Sequence, residues 1–297
     1  MTFRPLLAPQ ENPKSCPDFY SYLTDFVIAS PKIDGIRGVV KRSKMMSRTF
    51  KPHANLQVQS DFTGIDHIDG ELTFGEPTGV DVMNRAQSNV RSVRATGDFR
   101  FYVFDWTAPD MLNAPFYERL EVLQEKIQGN PLYRYVEQVE LDSLEAIFAY
   151  EEKCLAAGYE GIMVRNPVGP YKQGRATMLD RIVWKLKRFE DEEFACVGIE
   201  EAMHNANAAT TNALGYTERS THKQNMVPSG LAGKYLCYSP EGFVFKVQPG
   251  AFTHSERRAH FLNPSIVTTK KLTVRFFGRT PDGAYRFARV VAIRFDI

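Results

Sequence analysis

The 297-residue sequence has no run of about 18 apolar residues, so no transmembrane helix is predicted. Its first residues lack the pattern of a cleavable signal peptide. The four cysteines are far apart and form no CxxC pair, which argues against a zinc site and fits reduced thiols in a cytosol. We therefore expect a soluble globular protein that does not associate with membranes.

The sequence also lacks a strong excess of charge of either sign. Its 37 basic and 35 acidic residues give a net charge of +2, which neither identifies nor excludes a nucleic-acid-binding protein. The cations are instead concentrated in short runs such as "VVKRSKMMSR" and "VWKLKRF". A single basic run is most often a solvated face, so these runs need other motifs beside them to indicate function.

The length and the 43% hydrophobic content predict two domains. Residues 1–22, rich in proline and polar residues, are predicted to form a loop with little regular structure. Apolar spacing and end signals predict helices over Val80–Ser92, from Pro115 to Gly129 and from Asp142 to Gly158. Short strands lie between them, beginning with a pair hinged around "PKIDG". This irregular mixture predicts an α+β domain of antiparallel sheets and helices over residues 1–189.

The second predicted domain covers residues 190–297. It consists of short strands separated by turn signals such as "SPEG" and "TPDG". Five such strands in about 100 residues suit a small β-barrel of the OB-fold type. Residues 204–228 are polar and long for a loop, and loops of that length are usually functional or disordered.

Lys32, in "SPKIDGIRGVV", is the first candidate for chemistry. At neutral pH only about one lysine in a thousand is a neutral nucleophile. Burial and neighbouring cations depress a lysine pKa, and Arg37, Lys185 and Lys187 would supply such cations. Strand alternation places Lys185 and Lys187 on one face, where they would also cradle a phosphate.

Two carboxylates accompany these cations: Glu71 in "DGEL" and Glu160 in "YEGIMVR". A few hard oxygen ligands suit Mg²⁺ that also binds substrate phosphates. Each carboxylate taken alone is more often part of a turn or a surface ion pair.

The ordered set K-x-D-G-x-R, S-R, D-G-E, Y-V-F-D, E-G-x-x-V-R and W-K-x-K resembles the covalent nucleotidyltransferases, which include DNA ligases, RNA ligases and mRNA capping enzymes. The resemblance covers about residues 30–190, followed by an OB domain. Within that superfamily, "ALGYTERSTHKQNMVPSGLAG" and "YRFARVVAIR" look like segments of small bacteriophage-type ATP-dependent DNA ligases.

By this resemblance, Lys32 attacks the α-phosphate of ATP to form lysyl-AMP, while Lys185 and Lys187 hold that phosphate. The AMP then passes to the 5′-phosphate at a nick, and the 3′-hydroxyl displaces AMP. The implied catalytic residues are Lys32, Lys185 and Lys187. The implied nucleotide site consists of Lys32, Ile33, Arg37, Glu71, Phe104, Glu160, Lys185 and Lys187. Phe104 would stack on adenine.

The resemblance also implies a metal and a cofactor. Glu71 and Glu160 would bind Mg²⁺, for which Mn²⁺ is a possible substitute. ATP is expected rather than NAD because only 31 residues precede Lys32, too few for a nicotinamide-binding domain.

The implied partner is nicked double-stranded DNA, bound by a monomer in the cytoplasm, which would be the host's if a phage encodes the chain. Arg48 would bind the 5′-phosphate, and Arg219 and Lys223 would clamp the duplex. Arg286 and Arg294 would orient the pyrophosphate leaving group.

Three alternatives remain open at this point. An RNA ligase would use the same chemistry on another substrate, and a GTP-dependent capping enzyme would use another nucleotide. A DNA-binding module with a decayed active site would bind DNA without carrying out nucleotidyl transfer.

Overall fold

The computed structural model describes residues 3–10, 25–79, 81–280 and 282–295. The chain divides into two compact units. Unit 1 comprises Met1–Lys187 and Ala213–Gly215, and unit 2 comprises Arg188–Asn212 and Tyr216–Ile297. The domain boundary predicted near residue 189 lies close to this division. The assignment of the two units to a nucleotidyltransferase domain and an OB-fold domain stays a prediction.

The described part of unit 1 mixes short strands and helices. In chain order they are β1 (Val27–Pro31), β2 (Ile36–Lys41), β3 (Lys44–Met46), α1 (Leu56–Asp61), β4 (Ile68–Phe74), α2 (Val82–Arg91), β5 (Phe99–Trp106), α3 (Phe116–Ile127), β6 (Tyr133–Tyr135), β7 (Val139–Leu141), α4 (Leu144–Ala156), β8 (Gly161–Arg165) and β9 (Val183–Lys187). A 3-10 helix spans Met178–Asp180.

These strands form two sheets. One has the order β3-β2-β4-β5-β6 and the other β7-β1-β8-β9. All neighbours are antiparallel except β5 and β6. The prediction that the strands around "PKIDG" form a pair is wrong, because β1 pairs with β7 and β8 whereas β2 pairs with β3 and β4. Residues 32–35 therefore carry the chain from one sheet to the other.

The helices pack on these sheets much as the apolar spacing predicts. α3 follows Pro115, and α4 ends before Gly158. The N-cap of α4 is Ser143 rather than the predicted Asp142, because the Ser143 hydroxyl accepts a hydrogen bond from the amide of Ala146 at 3.2 Å. α2 begins at Val82, and the predicted start at Val80 lies outside the described residues.

Each sheet has its own apolar core. The five-stranded sheet buries residues such as Phe62, which directly follows α1, Phe101 of β5 and Leu123 of α3. The four-stranded sheet buries Ile147 of α4 against Trp184 of β9. The two cores fix the sheets independently, and the segment that links them carries the candidate chemistry.

The first described segment is more ordered than the predicted loop. The amide of Leu7 donates to the carbonyl of Gly174 at 2.9 Å, and the amide of Ala176 donates to the carbonyl of Leu7 at 2.8 Å. Leu6 is buried, and its amide donates to the Tyr171 hydroxyl at 3.0 Å. The remainder of the predicted loop, residues 11–22, lies outside the described residues.

Unit 2 is built mainly from strands. Its elements are β10 (Glu190–Asn205), β11 (Ala209–Thr211), β12 (Thr217–Arg219), a 3-10 helix (Lys223–Asn225), β13 (Met226–Tyr238), β14 (Val244–Val247), α5 (His254–Leu262), α6 (Ser265–Thr268), β15 (Lys271–Phe276) and β16 (Arg289–Arg294).

A five-stranded sheet of unit 2 has the order β14-β13-β10-β15-β16. Its ladder is open rather than the closed barrel predicted, although a parallel bridge between Gln248 and Arg289 links the ends of the two edge strands. The stretch 204–228 is also not a simple loop. β10 and β13 pair as far as Asn205 and Met226, and β11 and β12 form a ribbon beyond them. Among the described residues, the helices are too short and too polar to cross a bilayer.

Candidate active site

A cavity of about 630 Å³ opens in unit 1, lined by residues of both sheets. It gathers most of the residues predicted from the motifs. Those lining it are Lys32, Ile33, Arg37, Arg48, Glu71, Phe104 and Lys185. Glu160 and Lys187 join them indirectly, because Glu160 binds both Lys32 and Lys187.

Backbone bonds set the position of Lys32 directly after β1. Its amide donates to the carbonyl of Gly161 at 2.9 Å, and its carbonyl accepts from the amide of Glu160 at 3.2 Å. Gly161 has a φ of +147°, and a side chain there would meet the Leu186 carbonyl oxygen at 2.2 Å. The glycine of "YEGIMVR" thus lets β8 approach β9 closely and keeps Glu160 beside Lys32.

The Lys32 amine donates to one oxygen of Glu160, and the Lys187 amine donates to the other at 2.9 Å. Burial lowers the pKa of Lys32, but the charges of Glu160, Glu71 and Asp34 outweigh it and raise that pKa above its ordinary value. Burial raises the pKa of Glu160, but Lys32 and Lys187 bring it down to about 2. The prediction that neighbouring cations depress the pKa of Lys32 is wrong for this state, because the nearest charge is a carboxylate.

Lys185 has the depressed pKa instead. Burial lowers it to about 8, together with the charges of Lys187, Arg175 and Lys32. As the alternation predicts, Lys185 and Lys187 share one face of β9, and Trp184 and Leu186 are buried on the other. A half-buried cation among other cations favours an anionic ligand such as phosphate.

Arg37 forms part of a fixed network in the cavity wall. Its Nε and Nη2 each donate to Asp69 at 2.6 Å, and the Tyr171 hydroxyl donates to the same carboxylate at 2.6 Å. The guanidinium also lies 4.8 Å from the centre of the Phe104 ring. The bidentate pair orients Arg37 and keeps its charge at the cavity surface. The sequence indicated Asp69 only as a carboxylate of the D-G-E motif, and it gave no signal for Tyr171.

Glu71 stands opposite Arg37 in the β2–β4 pairing. Burial raises the pKa of Glu71 to about 7, against the opposing effects of Arg37 and Lys32. A side chain at Gly35 would meet the Leu72 carbonyl oxygen at 2.4 Å and Cγ of Glu71 at 2.8 Å. Glycine in the K-x-D-G-x-R motif therefore makes room for the carboxylate.

The family model for the ATP-dependent DNA ligase domain matches residues 12–187, which is more than half of the sequence. The chain belongs to this family. Among curated ligases, DNA ligase of African swine fever virus (strain Badajoz 1971 Vero-adapted) is 25% identical, over 94% of this chain and 66% of its own length. DNA ligase of Haemophilus influenzae is 26% identical, over 88% of this chain and 84% of its own length.

Solved structures agree with this assignment at the level of fold. The chain aligns with a Lig E DNA ligase at a TM-score of 0.71 and 24% identity, covering 99% of this chain and 100% of that one. It aligns with Chlorella virus DNA ligase-adenylate at a TM-score of 0.54 and 25% identity, covering all of both chains. The chain spans 51–66% of the length of African swine fever virus ligases that it matches. The ligase family predicted from the motifs is confirmed. The α+β class predicted from the mixture of strands and helices agrees with the mixed fold of these ligases.

The ligase motif E-G-x-x-V-R ends in an arginine with a structural partner. Nη1 of Arg165 donates to Asp105 at 2.6 Å, and Nε of Arg119 donates to the other oxygen of Asp105 at 2.8 Å. All three side chains are buried. The only sequence signal for this buried cluster was the aspartate of "FYVFDW", Asp105, for which the motifs predicted no role.

The other predicted residues of the ligase site take no part in this network. Arg48 lines the cavity rim and is exposed. The remaining ones belong to unit 2: Arg219 donates to the carbonyl of Asn207, Lys223 is exposed, and Arg294 pairs with Glu193 at 2.5 Å. Their proposed roles toward DNA and pyrophosphate, and that of Arg286, remain predictions.

Proposed function

We propose that this chain is an ATP-dependent DNA ligase that seals nicks between a 3′-hydroxyl and a 5′-phosphate in duplex DNA. One observation carries the proposal: Lys32 stands at the junction of two sheets in a cavity lined by further cations and Glu71, and its amine is paired with Glu160. This arrangement suits covalent capture of a nucleotide phosphate by a lysine. Membership of the ligase family supports the same reading.

The first step would join Nζ of Lys32 to the α-phosphorus of ATP and break the bond to pyrophosphate. Lys185 and Lys187 would neutralise the charge that develops on the phosphoryl oxygens. The charges of Lys32 and Lys187 lower the pKa of Glu160, so the carboxylate stays ionised beside Lys32 and would orient its amine. The proton would leave with solvent or pyrophosphate.

The nucleoside would bind between the two sheets. Phe104 lines the cavity and would stack on adenine, beside the backbone of Ile33. Arg37, fixed by Asp69, would contact the sugar. Glu71 and Glu160 are oxygen donors that fit Mg²⁺, which would neutralise phosphate charge when bound.

Two in-line displacements would follow: the 5′-phosphate attacks lysyl-AMP and releases the Lys32 amine, and the 3′-hydroxyl then attacks the 5′-phosphorus of the DNA-adenylate, forms the phosphodiester and releases AMP. Arg48 at the cavity rim would hold the 5′-phosphate. We propose that unit 2 is an OB-fold domain, because its strand order and the bridge between its edge strands suit that barrel. Arg219 and Lys223 would clamp the duplex, and Arg286 and Arg294 would orient pyrophosphate. The acting species would be a monomer.

The deciding experiment is intact mass after incubation with ATP and Mg²⁺, with peptide mapping of the adduct. We expect an AMP-sized gain on Lys32, absent with GTP or NAD and absent in Lys32→Ala. Lys44→Ala is the matched control, since Lys44 is an exposed lysine of β3 outside the cavity lining. Nicked DNA should discharge the adduct faster than nicked RNA. A protein unmodified by every nucleotide would overturn the proposal.

A further inference from the structure

The cavity in unit 1 is lined by more cations than the ligase roles account for. These cations are Lys32, Arg37, Arg48, Arg91, Arg165, Arg175 and Lys185. Lys32, Arg37 and Arg165 each bind a carboxylate. Arg175 donates to the carbonyl of Ala8 at 2.8 Å.

The three other cations of the lining are Arg48, Arg91 and Lys185. Over the described residues, no ion pair holds any of them. In the proposed mechanism, Lys185 binds the α-phosphate of ATP and Arg48 binds the 5′-phosphate at the nick. Arg91 has no role in it, although it lines the same cavity.

Arg91 is the last residue of α2, and its side chain is exposed. Met83, Gln87 and Arg91 line the cavity at intervals of four residues, so one face of α2 runs along its wall. A basic residue in the last turn of a helix is common, because it interacts favourably with the helix dipole. The helix dipole would favour a basic residue on any face of the last turn. It therefore does not explain why Arg91 lies on the face of α2 that lines the cavity.

Asn55 connects the end of α2 to the loop that carries Arg48. The Asn55 side chain is buried, and its oxygen caps α1 by accepting from the amide of Val58 at 2.9 Å. Its amide group donates to the carbonyls of Ser92 at 2.7 Å and Ala95 at 2.8 Å. The start of α1, which follows the loop that bears Arg48, is therefore tied to the segment that leaves α2 directly after Arg91.

We propose that Arg91 binds a backbone phosphate of the nicked DNA, next to the 5′-phosphate held by Arg48. This inference rests on the proposed ligase function. Both arginines are exposed at the cavity rim, whereas the cations beside Lys32 are half-buried, so the rim pair faces the strand rather than the triphosphate. The planar guanidinium fork matches two phosphate oxygens, and two such groups lining one cavity would fix the strand end.

The test compares Arg91→Gln with Arg94→Gln, a matched control three residues on. Arg94 is exposed but does not line the cavity. Each variant is converted to its lysyl-AMP form with ATP and titrated with labelled nicked duplex at several salt concentrations. We expect Arg91→Gln to weaken binding about tenfold. Its slope of log affinity against log salt should fall by about one relative to the parent, and Arg94→Gln should leave both unchanged.

Measurements of self-adenylylation distinguish whether Arg91 binds a DNA phosphate or the triphosphate of ATP. We expect Arg91→Gln to keep the parent KM for ATP. A raised KM with unchanged DNA affinity would assign Arg91 to the triphosphate and overturn the proposal. Equal DNA affinity and salt slope for Arg91→Gln and Arg94→Gln would also overturn it. These failures differ from failure of the ligase proposal, in which the parent itself would form no lysyl-AMP.

Discussion

Lys32 and Glu160 form a largely buried ion pair at the point where the chain passes from one sheet to the other. Two backbone hydrogen bonds join the same residues to each other and to Gly161. The carboxylate raises the pKa of Lys32, so the nucleotide-free protein keeps the proposed nucleophile protonated. Glu160 thus positions the amine and restrains its reactivity at the same time.

Replacing Glu160 with glutamine removes the largest of the charges that raise the pKa of Lys32, whereas burial continues to lower it. We expect the pH profile of self-adenylylation at saturating ATP to move to lower pH, even though the maximal rate falls because the amine is less well oriented. Rates of lysyl-AMP formation between about pH 6 and pH 10 measure this shift. Glu125→Gln, on the exposed side of α3, is the control, and parallel profiles for parent and Glu160→Gln would contradict the prediction.

Local patterns in the sequence were sufficient to predict much of the fold. β5 covers the predicted "FRFYVFDW" from end to end, and α3 begins after Pro115 as its spacing indicates. The alternation of Lys185 with Trp184 and Leu186 is also as predicted. Periodicity reports which face of an element is buried, and these features depend only on that.

Features that depend on distant partners could not be predicted in this way. Alternation does not identify a strand's neighbours, so β1 and β2 were wrongly paired. The pKa of Lys32 was predicted in the wrong direction because Glu160, 128 positions away, approaches it more closely than the cations do. The pairing of Arg37 with Asp69 likewise needed the register of β2 and β4.

Glu71 should destabilise the nucleotide-free protein above neutral pH. Burial raises its pKa from 4.5 to about 7, so the folded state binds more protons than the unfolded state between those values. Stability contributed by this group is therefore lost as pH rises from about 4.5 to 7, up to about 3 kcal/mol. We expect Glu71→Gln to raise Tm relative to the parent at pH 8 but little at pH 4.5. Thermal unfolding at both values checks this, and a Tm difference independent of pH would contradict it.

Asp105 should contribute far more to stability than an exposed aspartate of the same unit. Asp105→Asn would leave the buried guanidinium groups of Arg119 and Arg165 without their counter-charge, costing about 3–5 kcal/mol. Asp98→Asn, which breaks an exposed pair with Arg100, should cost less than about 1 kcal/mol. Urea unfolding, followed by a probe in unit 1, measures both changes. Similar losses for the two variants would contradict this account of the buried cluster.

Gly161→Ala tests whether the close approach of β8 and β9 keeps the site together. The new methyl group would lie 2.2 Å from the Leu186 carbonyl oxygen, so the strands must separate and Glu160 must shift. We expect about 2 kcal/mol or more of destabilisation and a large loss of self-adenylylation. Gly174→Ala is matched to it, since Gly174 also has a positive φ of 96° but no atom within 4 Å of an added methyl group. That variant should lose only about 1 kcal/mol and keep its activity. Equal losses of stability and of self-adenylylation in the two variants would show that the positive φ alone, and not the contact with Leu186, accounts for the effect of Gly161→Ala.

The ribbon formed by residues 206–225 should contribute to DNA binding but not to the reaction with ATP. Asn205 and Met226 stand directly opposite each other in the β10–β13 ladder, so an Asn-Gly turn can replace the ribbon without changing the register. We expect this deletion to weaken nicked-duplex binding and to lower its salt dependence, because Arg219 and Lys223 are lost, while the yield of lysyl-AMP stays at the parent value. The double variant Arg219→Ala/Lys223→Ala, which keeps the ribbon, should reproduce the change in salt dependence if the charges are responsible. Binding that is unchanged in the deletion would remove the ribbon from the DNA interface, and a fall in lysyl-AMP yield would show that it serves the nucleotide step instead.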